Sequence, residues 1–86
     1  MRPVYEGREV TFTWDLDGIT GDGVFYHDSY AIEALGAEGF RAVAQNADRA
    51  DIFRFEEGVL MHAAIVKYGQ VPSIQSQVFG CTAQDP

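Results

Sequence analysis

His27 and His62 are the only imidazoles in the 86-residue chain, and Cys81 is its only thiol. These are the side chains best suited to bind a metal, move a proton or attack a carbonyl. A structural zinc site takes four Cys or His ligands at characteristic spacings. Two histidines far apart and one cysteine do not supply them. No serine sits on a glycine-flanked elbow, and no glycine-rich phosphate loop ends in lysine. Cys81 lies in a polar tail with no base beside it, so it reads as an ordinary free thiol. Oxygen ligands are more plentiful: Asp15, Asp17 and Asp22 fall within eight residues of one another. A calcium loop counted from Asp15 would need an acid at the fifth place, glycine at the sixth and glutamate at the twelfth. Ile19, Thr20 and Tyr26 stand there instead. No metal, cofactor or catalytic set is therefore expected.

The run Trp14-Asp15-Leu16-Asp17-Gly18-Ile19-Thr20 nevertheless resembles the first motif of the haloacid dehalogenase-like phosphatases. That resemblance implies Asp15 as nucleophile, Asp17 as general acid and magnesium held between carboxylates. Ile19 departs from the threonine or valine usual at its place. The family's doubly wound sheet needs a much longer chain, and Lys67 is the sole lysine available for its downstream role. A hairpin turn accounts for the same aspartates and glycines without chemistry.

Charge is the most informative feature. Six basic and thirteen acidic residues give a net charge of −7. Between Glu9 and Phe40 there is no Lys or Arg, yet the segment carries Glu9, Asp15, Asp17, Asp22, Asp28, Glu33 and Glu38. The remaining six acids are balanced by six bases. A duplex-binding protein would carry the opposite sign. An acidic block suits a basic partner instead, binding fast and with strong salt dependence. Tyr26 and Tyr30 sit within the block and could serve as aromatic anchors inside a charged rim.

The elements that would position these residues are read from periodicity. Val10, Phe12, Trp14 and Leu16 alternate with Thr11, Thr13 and Asp15, which predicts a strand with one buried face. Glycines 18, 21 and 23 provide turns, and Val24–His27 resumes as a second strand. Asp17-Gly18 and Asp22-Gly23 both suit the reversal. Asp28-Ser29 suits a helix N-cap before Tyr30–Leu35. Residues 37–47 continue at helical spacing, and Ile52–Phe55 is ambiguous. Residues 56–68 give the best helical pattern, with Glu56 and Glu57 early, Lys67 late, and Gly69 closing. The expected fold is α+β: one domain over residues 1–86, with an antiparallel hairpin (about 9–16 and 23–27) on two or three helices. A third edge strand is expected at 74–79, and residues 73–86 are an edge strand or a flexible tail.

The chain has no signal-peptide pattern, no run of 18 apolar residues and a single cysteine, so a cytoplasmic location is expected. With 47% hydrophobic and 22% charged residues its composition is globular. The expected function is a small acidic, non-enzymatic protein, monomeric or homodimeric, bound to neither membrane nor nucleic acid. It would occlude the nucleic-acid-binding surface of a basic partner through Asp15, Asp17, Asp22, Asp28, Glu33, Glu38, Tyr26 and Tyr30. In size and charge it is similar to phage-encoded inhibitors of host defence, including anti-CRISPR proteins, with no shared motif. The alternative is a structural or oligomerising domain that uses Ile52-Phe53 or the 74–79 edge, its acids merely solvated.

Overall fold

A computed structural model of the chain describes residues 3–68 and 71–84, with the Tyr68 side chain left aside. Eight strands follow one another: β1 (Val4–Gly7), β2 (Thr11–Asp15), β3 (Gly18–Asp22), β4 (Ala31–Leu35), β5 (Gly39–Gln45), β6 (Arg49–Glu56), β7 (Val59–Tyr68) and β8 (Val71–Gln84). All pair antiparallel in the order β3-β2-β1-β8-β7-β6-β5-β4, and the sheet curls into a nearly closed barrel. No helix occurs among the described residues. The α+β expectation is thereby overturned.

Each correction has a local cause. The first hairpin pairs 11–15 with 18–22, not 9–16 with 23–27. Its reversal is centred on Leu16-Asp17, because Asp15 Oδ1 accepts the backbone N–H groups of Asp17 (2.8 Å) and Gly18 (3.1 Å). Leu16 rides this turn and is 66% exposed, so it leaves the core that its alternation predicts. Residues 23–27 form part of the loop between the two edge strands. The segments read as helices, 30–35, 37–47 and 56–68, hold β4, β5 and β7. Glu57 and Gly58, read as a first helical turn, both have positive φ (52° and 77°). Two such central residues make the tight turn that suits the twist of β6 and β7. The closing role read for Gly69 lies outside the described residues.

Strand β8 is shared between two halves of the sheet. Residues 71–80 pair with β7, and residues 81–84 pair with β1 along the opposite edge. The β1–β3 half thus folds back over the β4–β7 half. Between them lies an aromatic core. Tyr5 packs on Phe55 (centroids 4.7 Å), Phe12 on Phe55 (5.2 Å), and Trp14 on Phe40 (4.9 Å). Phe12, Phe40, Phe53 and Leu60 are fully buried. Each contributes roughly 1.5–3 kcal/mol on transfer from water, and edge-on ring contacts add to this. The Gly23–Tyr30 loop joins the barrel's two edge strands. Its Val24 is buried, and its Phe25 ring packs tilted against Phe53, centroids 4.9 Å apart.

Candidate functional site

Strand β6 alternates strictly: Asp51, Phe53 and Phe55 face inward, while Ile52 and Arg54 face out. A carboxylate is therefore placed where the period demands a core residue. Asp51 is 0% exposed, and such a group is costly unless fully paired. Its partners come from three elements. Arg49, two residues earlier on the same face, donates Nε to Oδ2 (2.7 Å) and Nη2 to Oδ1 (2.8 Å). His27, from the loop, lies 2.6 Å from Oδ2, and His62, from β7, lies 2.6 Å from Oδ1. An ionised carboxylate only accepts, so both Nε2 atoms carry hydrogen. Burial alone would raise the Asp51 pKa, but the bonds from Arg49, His62 and His27 outweigh it and hold it at about 2.

The shell around this ionic knot is aromatic. His62 stacks on Phe53 (4.3 Å, 5° between planes), and the Arg49 guanidinium lies 3.7 Å over the Tyr26 ring. Tyr30 is buried, and its hydroxyl accepts the N–H groups of Tyr26 (3.0 Å) and His27 (3.2 Å). Burial pushes the Tyr30 hydroxyl up despite those two bonds. Tyr30 thus fixes the loop that brings His27 to Asp51.

Two imidazoles and a carboxylate are a donor set for a transition metal. Here the guanidinium occupies both carboxylate oxygens and places a fixed positive charge beside them. No group of three or more His, Cys, Asp or Glu among the described residues is arranged to hold a metal. The knot is a clasp joining loop, β6 and β7. Sequence reasoning singled out His27 and His62 as the chain's imidazoles but passed over Asp51 and Arg49. The signal was present: a period-two reading of residues 50–56 puts Asp51 in line with Phe53 and Phe55.

The acids expected to form one surface occupy several places. Asp15 is engaged in its turn. Asp17 is exposed in that same turn, whereas Asp22 ends β3 opposite Thr11, at the other end of the hairpin. Asp28 is exposed on the loop. Glu33, on β4, meets Arg41 across the strand pair at 3.3 Å. Glu38 is exposed in the β4–β5 turn, where it lines a shallow cleft of about 350 Å³ with Glu56 and Glu57. Of the two tyrosines, Tyr30 is interior, and Tyr26 is 51% exposed beside Arg49. Cys81 is half-buried, and burial pushes its thiol up against a backbone bond at Leu60. That shift is away from the reactive thiolate.

A second feature lies outside the barrel. Ile52 on β6, Met61 and Ile65 on β7, and Ile74 and Val78 on β8 are all exposed large apolar residues. The register sets Met61 opposite Val78 and Ile65 opposite Ile74, so these four share the outer face. Ile52 joins them through Ala63, its partner across β6 and β7. Comparison of the chain with protein-family models, with curated proteins and with solved structures finds no match in any of the three.

Proposed function

We propose that this protein is a non-enzymatic binding module, which engages another protein through the apolar outer strip of β6, β7 and β8. The observation that carries this reading is the joining of Met61, Ile65, Ile74 and Val78 into one exposed patch across paired strands. Contiguous apolar surface on a small protein is characteristic of contact sites. The ionic knot and the aromatic core supply the rigid barrel behind it. The single cysteine, which precludes an internal disulfide, favours the cytoplasm as the place of action.

A second reading keeps the acidic surface as the contact, directed at a basic, nucleic-acid-handling protein. The cleft bordered by Glu38, Glu56 and Glu57 favours it. Capture from the source cell's extract, followed by a graded salt wash, separates the two. A complex that survives high salt and is lost in the Ile65→Ser, Ile74→Ser double variant supports the apolar strip. A complex released by moderate salt, and lost in the Glu38→Lys, Glu57→Lys double variant, overturns the first reading in favour of the second.

A further inference from the structure

The geometry points to a second copy of this chain as the occupant, joined through the free edge of β8 so that two barrels share one continuous sheet. This rests on the binding-module reading above and deepens it, since pairing at the edge doubles the strip offered to a partner.

The edge follows from topology. Residues 71–80 of β8 pair with β7 on one side, and among the described residues nothing pairs with them on the other. Strand β1 takes that second side only from Cys81 onward. The direction of each backbone group follows from one bond. Cys81 N–H donates to Gly58 O (2.6 Å), toward β7. The register with β7 is unbroken from Val71 to Gly80, so direction alternates by residue. Odd-numbered residues in this stretch therefore bond β7, and Ile74, Ser76, Val78 and Gly80 turn their N–H and C=O groups to the open side. Pro72, which has no N–H, falls in the same open-side set, where proline is tolerated.

Natural sheets guard such an edge with charge, proline, bulges or shortness, and here Pro72 guards only its start. This one is long and unbroken, and Val71–Gln84 contains no charged residue in a chain of net charge −7. The hairpin of β7 and β8 carries Lys67 as its sole charge. Strand β8 thus brings no acid of its own to the joint, and Glu9 beside it is flanked by Arg8, so a neutral edge meets a neutral edge. A recess of about 510 Å³ runs beside Gln77, Val78, Phe79 and Gly80, bounded by Arg8 and Glu9 of the β1–β2 turn, and gives an added strand room.

The sequence is also complementary to itself. A twofold axis at Ser76 sets Ser76 against Ser76 of the second copy, Ile74 against Val78, and Gln75 against Gln77. Open-side residues then meet open-side residues: Ser76 with Ser76 and Ile74 with Val78 exchange both backbone bonds, Pro72 only accepts from Gly80, and Gln75 with Gln77 forms the non-bonded pair between them. Ile74 and Val78, which are 82% and 72% exposed, become cross-strand neighbours on the outer face. The apolar strip continues from one copy into the other.

The test uses the whole chain. Light scattering across dilution and salt series is expected to give twice the monomer mass, insensitive to salt. Amide exchange at Ile74, Ser76 and Val78 should be slow in the dimer and become fast on dilution. Ser76→Cys should form a disulfide-linked dimer under mild oxidation, since directly opposed bonded residues lie about 5.5 Å apart at Cα. Ser76→Pro should yield a monomer. A monomer throughout the dilution series overturns self-pairing. If that monomer still captures a partner through the Ile65 and Ile74 patch, the binding-module reading stands without it. A dimer whose Ile74, Ser76 and Val78 amides exchange freely overturns the edge in favour of face-to-face packing. A dimer dissolved by high salt overturns the neutral joint altogether.

Discussion

His27 Nε2 stands 2.6 Å from Asp51 Oδ2 across 24 residues of chain, and through it the Gly23–Tyr30 loop is tied to strand β6. Phe25 on Phe53 and the Tyr30 hydroxyl on the loop backbone complete the attachment. His27→Ala should therefore free the loop while sparing the strands. The expected outcome is faster amide exchange and earlier proteolytic cutting within residues 23–30, with the core strands still protected. Uniform loss of protection over the whole chain would show that the loop and barrel unfold as one unit.

Asp51 itself should be far less replaceable. Asp51→Ala leaves Arg49, His27 and His62 without their common acceptor inside the barrel. Breaking a buried pair by removing one partner costs roughly 3–5 kcal/mol. Urea unfolding should show a loss of that order, a large fraction of the stability a domain this small can have. A loss under about 1 kcal/mol, the worth of an exposed pair, would mean that the knot is solvated.

The same carboxylate predicts an acid limb. Its pKa is depressed in the folded chain, from the usual 3.8 to about 2. The unfolded state therefore binds the proton first. The stabilisation is fully present above pH 3.8 and is lost as pH falls toward 2. One such shift is worth about 2 kcal/mol by linkage. Melting temperature followed between pH 5 and pH 2 should fall along this limb, and a variant lacking Asp51 should show a shallower fall.

Gly21 is held by close approach rather than by turn geometry. A Cβ there would lie 2.3 Å from the Thr11 carbonyl oxygen and 2.8 Å from Phe12 Cα. Both contacts are backbone, so nothing flexible can yield. Gly21→Ala should destabilise the barrel by roughly 1–3 kcal/mol, as overpacking does, and chemical shifts should move first in β2 and β3. An unchanged melting temperature would mean that the β3 edge can swing outward.

Glu57 offers the opposite sign. It holds a left-handed φ of 52° at the first central place of a tight turn, where asparagine followed by glycine is the favoured pair. Glu57→Asn should raise stability by up to about 1 kcal/mol, because the left-handed form costs an ordinary side chain that order of energy. The melting temperature should rise without any change in the β6–β7 register.

Sequence periodicity misassigned β5 and β7 for a definite reason. Positions i and i+4 share a face in a helix and in a strand alike. Phe40 with Ala44, Leu60 with Ala64, and His62 with Val66 satisfy both patterns. The discriminating i+2 places are filled by Ala42, His62 and Ala64, the alanines small and helix-favouring, the histidine polar. On β7 the outer positions Met61, Ala63 and Ile65 are themselves apolar, so the contrast between faces that marks a strand is missing. That lost contrast is the exposed strip itself.

The sequence by itself determined the charge imbalance, the uncharged run of β8, the single thiol and the alternation around Phe12. These are properties of residue type and local spacing, and no folding is needed to read them. Only the tertiary structure decided that Asp51 meets His27 and His62, that the acids divide among separate turns and edges, and that β8 leaves one side open. Those facts depend on which strands become neighbours. Strand pairing joins residues far apart in the chain through backbone bonds that every residue type can make, so composition does not reveal the partners.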